Sequence, residues 1–300
     1  MKRIPSLTPS TARAAALAAA LAIGVTAAHA VPMIGLTSAN ELAMFDSSTP
    51  GMSSRVAVTG LAAGERLVGI DLRPGNGLVY GLSTASKLYT LNPGTGAASL
   101  VATLSSPVID GSKGWGMDFN PVADFAGATS FRVVSSTGNN YAINANTGVV
   151  GNLAGMIAPS FAQVAYTNSR LFPSAAPAST ALYYINTATD TLASAPGSFN
   201  SPTVTTIGAL GIDVLRGGGF EILGNGMALA ALNVDDGSLG TGLYTIDLAT
   251  GSASFVGTFN GTLTGLTAAV PEPATAALLS LGGLALAAVA RRQRKRQRTM

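Results

Sequence analysis

G-I-D-L-R-P from Gly69, L-V-Y-G-L-S from Leu78, K-L-Y-T-L-N from Lys87, the turn P-G-T-G from Pro93 and A-S-L-V-A-T-L from Ala98 make four short strand signals in fewer than fifty residues. Alternating apolar runs rich in Val, Ile, Leu and Tyr, punctuated by Gly, Asn, Asp and Pro, mark half-buried strands and tight turns. No sustained helical period interrupts them.

Working outward, the first strand returns as G-M-D-F-N-P from Gly116, V-A-Y-T-N-S from Val164, G-I-D-V-L-R from Gly211 and G-L-T-A-A-V from Gly265. The steps are 116 − 69 = 47, 164 − 116 = 48, 211 − 164 = 47 and 265 − 211 = 54. The third strand and its turn recur as Y-A-I-N-A-N-T-G from Tyr141, Y-Y-I-N-T-A-T-D from Tyr183 and Y-T-I-D-L-A-T-G from Tyr244. A four-stranded unit repeating every 40 to 50 residues is the signature of a β-propeller. The fifth unit has only its first strand, and the N-terminus holds the missing part. M-I-G-L-T-S-A-N-E-L-A-M-F-D from Met33 aligns with the second and third strands, and V-A-V-T-G-L from Val56 supplies the fourth. The expectation is an all-β, five-bladed β-propeller whose last blade is shared by both ends, leaving no free radial edge. A β-sandwich or irregular barrel is the alternative.

The two ends differ in kind from the middle. Lys2, Arg3 and Arg13 precede an apolar stretch from Ala14 to Ala28, and Ala28-His29-Ala30 has the small-x-small form cut by signal peptidase. Residues 1–30 are therefore expected to be a signal peptide. At the other end Val270-Pro271-Glu272-Pro273 is followed by an uncharged run, Ala274 to Ala290, and then by Arg291, Arg292, Arg294, Lys295, Arg296 and Arg298. Seventeen residues span about 25 Å as a helix, enough to cross a bilayer core. Six basic residues would hold that end in the cytoplasm. The expected layout is a signal peptide over 1–30, a propeller over 31–270 and a tail over 271–300, with one transmembrane helix at 274–290 and a basic stop at 291–300.

The tail resembles the PEP-CTERM sorting signal of Gram-negative bacteria, because Pro-Glu-Pro, a short apolar segment and an Arg cluster occur in order over the last thirty residues. That resemblance implies an exosortase that recognises Pro271, Glu272 and Pro273, removes the tail and passes the protein to the cell surface or exopolysaccharide. Two prolines keep the segment extended and accessible, as such recognition needs.

Of 17 basic residues, three lie in the signal peptide and six in the tail, leaving 17 − 9 = 8 against 13 of the 14 acids in residues 31–270. The domain is near −5, so the basic balance belongs to the targeting segments and a nucleic-acid partner has no electrostatic basis. The sequence has no Cys, and its one His, His29, leaves with the signal peptide. This excludes Ser-His-Asp and Cys-His catalysis and zinc sites built from His or Cys. Carboxylate chemistry and an oxygen-ligand metal such as calcium stay open.

A second resemblance covers most of residues 34 to 268. A-G-E-R-L-V-G-I-D-L-R-P from Ala63, L-Y-T-L-N-P-G-T-G from Leu88, W-G-M-D-F-N-P from Trp115 and F-R-V-V-S-S-T-G-N-N-Y from Phe131 resemble the bacterial family called domain of unknown function 4394. It departs after Asp124, where F-A-G-A-T-S precedes Phe131-Arg132-Val133. The family implies the fold and no reaction.

Asp71, Asp118 and Asp213 take one position in three first strands, with Tyr166 and Thr267 in the other two. First strands line a propeller's channel, so these carboxylates are candidates for a calcium site or for an acid/base set cleaving polysaccharide. The plainer alternative is that each Asp accepts hydrogen bonds from amides of its own blade. Asn92, Asn144, Asn186 and Asp247 precede the turns and read as turn-forming Asx residues. Trp115 on the channel rim is a core residue or an exposed sugar platform. Asp235-Asp236-Gly237 is an acidic loop without a full calcium-loop spacing. The expected function is a surface or matrix propeller that binds polysaccharide or another surface protein. A glycoside hydrolase or lyase is the competitor, resting on fold-level analogy.

Overall fold

The computed structural model describes residues 30–127, 130–234 and 240–270. The expected signal peptide up to His29, the tail from Pro271 and the Asp235-Asp236-Gly237 loop lie outside the described residues. Among the described residues no helix is long and apolar enough to cross a membrane.

From Val31 onward the chain forms five four-stranded antiparallel sheets, each ordered from an inner to an outer strand. The first blade is β4 (Leu67–Leu72), β5 (Val79–Ser83), β6 (Lys87–Leu91) and β7 (Ala98–Thr103). The second is β8 (Trp115–Phe119), β9 (Ser130–Ser135), β10 (Asn140–Asn144) and the short β11 (Val150–Gly151). The third is β12 (Phe161–Tyr166), β13 (Leu182–Asn186), β14 (Thr191–Ala195) and β15 (Thr205–Ala209). The fourth is β16 (Val214–Ile222), β17 (Ala228–Val234), β18 (Thr241–Ile246) and β19 (Ala253–Phe259). The fifth joins both ends: β20 (Leu263–Ala268) is innermost, followed by β1 (Pro32–Thr37), β2 (Glu41–Asp46) and β3 (Ser53–Ala57). Inner strands touch in the cyclic order β4, β8, β12, β16, β20 and back to β4, so the ring is closed.

Burial follows this order. Inner strands such as β8 are buried along their whole length because blades press on both faces, whereas outer β7 and β15 are partly or fully exposed. The core lies between blades. Leu82, Leu88, Phe119 and Phe131 are fully buried there, with Phe119 stacked on Phe131 at 4.8 Å. Each such side chain contributes about 1.5 to 3 kcal/mol.

The Asx residues form turns as expected. Asn92 Oδ1 accepts from the N–H groups of Gly94 (2.9 Å) and Thr95 (3.1 Å), and Asn186 and Asp247 repeat the pattern. Gly96 closes its turn at φ +73°, where a Cβ would come within 2.0 Å of the Ala57 carbonyl.

Three strand assignments need correction. The inner strand of the fourth blade begins at Val214, after the G-I-D of residues 211–213, and runs on through Gly217-Gly218-Gly219 to Ile222. The Tyr183 segment is the second strand of its blade, because fifteen residues (167–181) loop between β12 and β13. The outer strand of the shared blade is Ser53–Ala57, three residues ahead of the expected Val56 start.

Candidate functional site

Near the C-terminal end of four inner strands one polar residue takes the same place around the axis: Asp71, Asp118, Glu221 and Thr267. In the third blade Ala165 stands there instead of the expected Tyr166, whose amide donates to Asp118 as those of Phe119, Ala268 and Leu72 donate to Asp71, Glu221 and Thr267. Asp71, Asp118 and Glu221 meet, each offering a carboxylate oxygen within 4.8 Å of the others. All three are buried, at 4, 2 and 4% exposure. Asp213 does not join them. It is exposed, just before β16, and Glu221 occupies the position expected for it.

The carboxylates reach across blade boundaries. Asp71 Oδ2 accepts from the Phe119 amide of the second blade at 2.7 Å. Asp118 Oδ1 accepts from the Tyr166 amide of the third at 3.2 Å. Glu221 Oε2 accepts from the Ala268 amide of the fifth at 3.2 Å, and Thr267 Oγ1 accepts from Leu72 of the first at 2.9 Å. The alternative of bonding within one blade holds in part, since Asp71 Oδ1 also accepts from Leu72 N–H at 2.7 Å and Glu221 also accepts from the Ile222 amide. The set is a circumferential clasp that ties β4 to β8, β8 to β12, β16 to β20 and β20 to β4, and leaves out the step from β12 to β16.

Thr267 Oγ1 also lies 3.0 Å from Asp71 Oδ1 and 2.9 Å from Glu221 Oε2. A hydroxyl donates once and accepts twice. With Leu72 N–H filling one acceptor position, Thr267 can donate to only one of the two carboxylates, and the other would have to be protonated to donate to it in turn. That arrangement has one proton shared by the pair. The electrostatics agree. Burial, then the Glu221 charge, holds the Asp71 carboxyl well above the usual carboxylate range. Burial, then Asp71 and Glu221, does the same to Asp118, and burial raises Glu221.

Access is narrow. One layer further along the axis Gly69, Gly116, Gln163, Gly219 and Gly265 face a cavity of about 10 Å³, room for about one water. Beyond it, on the face where the inner strands begin, the axis widens into a bowl of about 520 Å³ lined by Arg66, Lys113, Trp115, Gln163 and Arg216. Trp115 itself is only 4% exposed, stacks on Tyr141 at 6.3 Å and donates its indole N–H to the Asp110 carbonyl at 2.8 Å. It is a core residue and offers no open platform.

The opposite face carries a latch that sequence reasoning missed. Asn120 caps the short helix α1 (Pro121–Phe125), and this places Asp124 against Arg73 of the first blade at 2.7 Å. Asp124 also accepts from Gly75 N–H at 2.7 Å, and Arg73 donates to Asn146 at 2.8 Å. The D-L-R-P segment at 71–74 and the F-N-P segment at 119–121 were legible as motifs. Their pairing across two blades had no signal in spacing. Behind Tyr166, the buried Arg132 donates to Asn140 and Asn200 and has no carboxylate within ion-pair distance among the described residues.

Fold and axis together define a five-bladed β-propeller with a closed ring and an acidic axial clasp. The chain belongs to the family described as Domain of unknown function (DUF4394), whose model matches residues 41–267. A PEP-CTERM protein-sorting motif follows over residues 269–295. No curated protein matches the chain significantly in sequence. Among solved structures, the chain is similar to a calcium-binding protein, regucalcin, from Agrobacterium tumefaciens. That match has 13% identity and a TM-score of 0.40, and covers 74% of this chain and 68% of the other. A candidate 6-phosphogluconolactonase from Bacteroides fragilis matches at 13% identity and a TM-score of 0.39, over 78% and 82%. PorZ, a surface component of the type-IX secretion system of Porphyromonas gingivalis, matches at 12% and 0.36, over 74% of this chain and 27% of that one. At these values none of them bears on what this chain binds or does.

Proposed function

We propose that this chain is exported, sorted by an exosortase to the cell surface or exopolysaccharide of a Gram-negative bacterium, and there binds polysaccharide or another surface protein. The sorting motif beginning at residue 269, one residue after β20 ends, carries this reading. Signal peptidase would cut after Ala30, ahead of β1, and the exosortase would act at Pro271, Glu272 and Pro273, beyond β20. Both cuts leave every strand intact. Until the second cut, residues 274–290 would anchor the protein in the inner membrane, with the Arg291 to Arg298 cluster on the cytoplasmic side.

The test is fractionation of a Gram-negative host that carries an exosortase. The wild-type chain is expected in the surface fraction without its tail, and the Pro271→Ala/Glu272→Ala variant in the inner membrane at full length. The same fraction and size for both would overturn the sorting claim. Retention of residues 31–270 on the host's exopolysaccharide tests the binding claim.

A hydrolase or lyase needs room for a sugar beside its two carboxylates. The buried triad and the cavity of about 10 Å³ next to it favour binding over cleavage. Calcium is the second reading for the triad, because three carboxylate oxygens within 4.8 Å of one another suit a hard cation with oxygen ligands.

A further inference from the structure

The axial bowl is distinct from the acidic clasp and differs from the rest of the domain in charge. Residues 31–270 hold eight basic residues against thirteen acids, yet three of those eight, Arg66, Lys113 and Arg216, line this one opening, and among the described residues no acid does. Lys113 is the most committed of them, lying 3.8 Å from the exposed Asp110 outside the lining. Arg66 gives one N–H to the Ser38 carbonyl. Arg216 is exposed, its carbonyl accepts from the Asn233 side chain at 3.4 Å, and its guanidinium makes no hydrogen bond or ion pair among the described residues.

A second observation lies at the base. Gln163, on β12, is 3% exposed, packs against Gly217 and faces both the bowl and the narrow axial cavity below it. Its side-chain amide has no hydrogen-bond partner among the described residues. The amide atoms are not sealed from solvent, since among the described residues only the Tyr184 hydroxyl is enclosed without a partner, so the Gln163 amide is free to bond a guest. A donor and an acceptor held ready at the floor of a solvent-open bowl suit a ligand with hydroxyl groups. The remaining wall is rich in hydroxyls, with Thr84, Ser112, Ser136 and Thr187 among them.

We infer that the bowl is a subsite for an acidic sugar residue, a uronate unit of a polysaccharide. Gln163 and the wall hydroxyls would bond the ring hydroxyls, and Arg216 with Arg66 would face the carboxylate. Arginine pairs with carboxylates through a planar fork that a point charge lacks. A volume of about 520 Å³ takes one or two sugar units. The bowl also opens on the face where inner strands begin, opposite the one from which the described chain leaves at Val270. A tethered precursor would thus present it outward. The inference rests on the polysaccharide-binding reading and names the sugar class.

The ring is complete within residues 32–268, so residues 31–270 serve as the test protein. Calorimetric titration would use a galacturonate oligomer, a neutral galactose oligomer of equal length and sodium sulfate alone. The galacturonate oligomer is expected to bind at least tenfold tighter than the neutral one, and sulfate weakly. The exposed substitution Arg216→Ala should weaken galacturonate binding about three- to tenfold without changing the melting temperature. Gln163→Leu should weaken both oligomers, and its own melting curve reports whether it folds. Equal affinity for both oligomers, or unchanged galacturonate affinity in Arg216→Ala, overturns the inference. If the domain stays on host exopolysaccharide while either of these results holds, the binding reading survives and only the sugar assignment fails. If no defined oligomer binds and the host polysaccharide is not retained, both fall.

Discussion

Thr267 has one hydroxyl proton and two carboxyl neighbours, and this count makes the axis of the ring sensitive to pH. In the unfolded chain these carboxyls lose their protons near pH ~4. Folded, Asp71, Asp118 and Glu221 hold protons to higher pH. The native state thus binds more protons than the unfolded one. The stability that this contributes is complete below the ordinary carboxylate range and is lost as pH rises through the raised values. Thermal melts of residues 31–270 should therefore show a melting temperature that falls as pH rises above the ordinary carboxylate range, worth up to ~1.4 kcal/mol per pH unit and proton. Glu221→Gln, which removes one member of the pair bonded to Thr267, should flatten that slope, and an unchanged slope would refute the shared-proton account. Adding calcium to the same melts decides the cation reading: a bound ion raises the melting temperature at neutral pH in the wild type and not in Asp118→Asn. Asp71 and Asp118 were legible in the sequence because their strands keep step with the repeat. Glu221 was not, because G-I-D at residues 211–213 copies the motif eight residues too early. Counting back from Thr267 by 267 − 221 = 46, close to the regular step, would have found it.

At the scale of the element, β16 shows why that reading slipped. It is nine residues long, and its pairing with β17 shifts register twice, at Val214/Arg216 and at Gly217/Gly219. Such irregularities consume residues without advancing the pairing, so a motif count cannot follow them. Strand existence was readable because Asx residues and glycines punctuate most hairpins, the Thr84-Ala85-Ser86 turn between β5 and β6 being an exception. Strand rank within a blade was readable only where loops are short, which fails at the 167–181 loop. The bulge in β16 depends on Gly219, at φ +138°, where a Cβ would stand 2.2 Å from the Leu266 amide nitrogen on β20. The contact is to backbone, so a side chain there must push two blades apart. Gly219→Ala is expected to cost about 2 to 4 kcal/mol in urea unfolding. A loss below ~0.5 kcal/mol would mean that the bulge relaxes freely. The same substitution at Gly64, which has open space around it, is the control for backbone strain alone.

For the molecule as a whole, closure by β20 against β1 is what makes five blades one cooperative unit. β20 contributes Leu263, Leu266 and Thr267, all buried, and pairs with β1 from Met33↔Ala268 to Leu36↔Gly265. A protein ending at Val270 should unfold in one transition. One ending at Thr262 should lack that transition and aggregate through its exposed edge. Equal melting curves for the two would show that the ring does not need its last strand. Closure was legible in the sequence because both partial blades could be counted, whereas the latch of Arg73 on Asp124 and the bowl's floor depend on neighbours brought together only by the ring. One consequence reaches past processing. The Ala269 amide donates to the Pro32 carbonyl at 2.8 Å, so the first and last strands already meet where the chain enters and leaves. A short linker could join those ends, and new termini could be opened in a hairpin of another blade without unpairing a strand. Such a circular permutant would keep the bowl, the clasp and the ring, and would move the exit point to any chosen place on the rim.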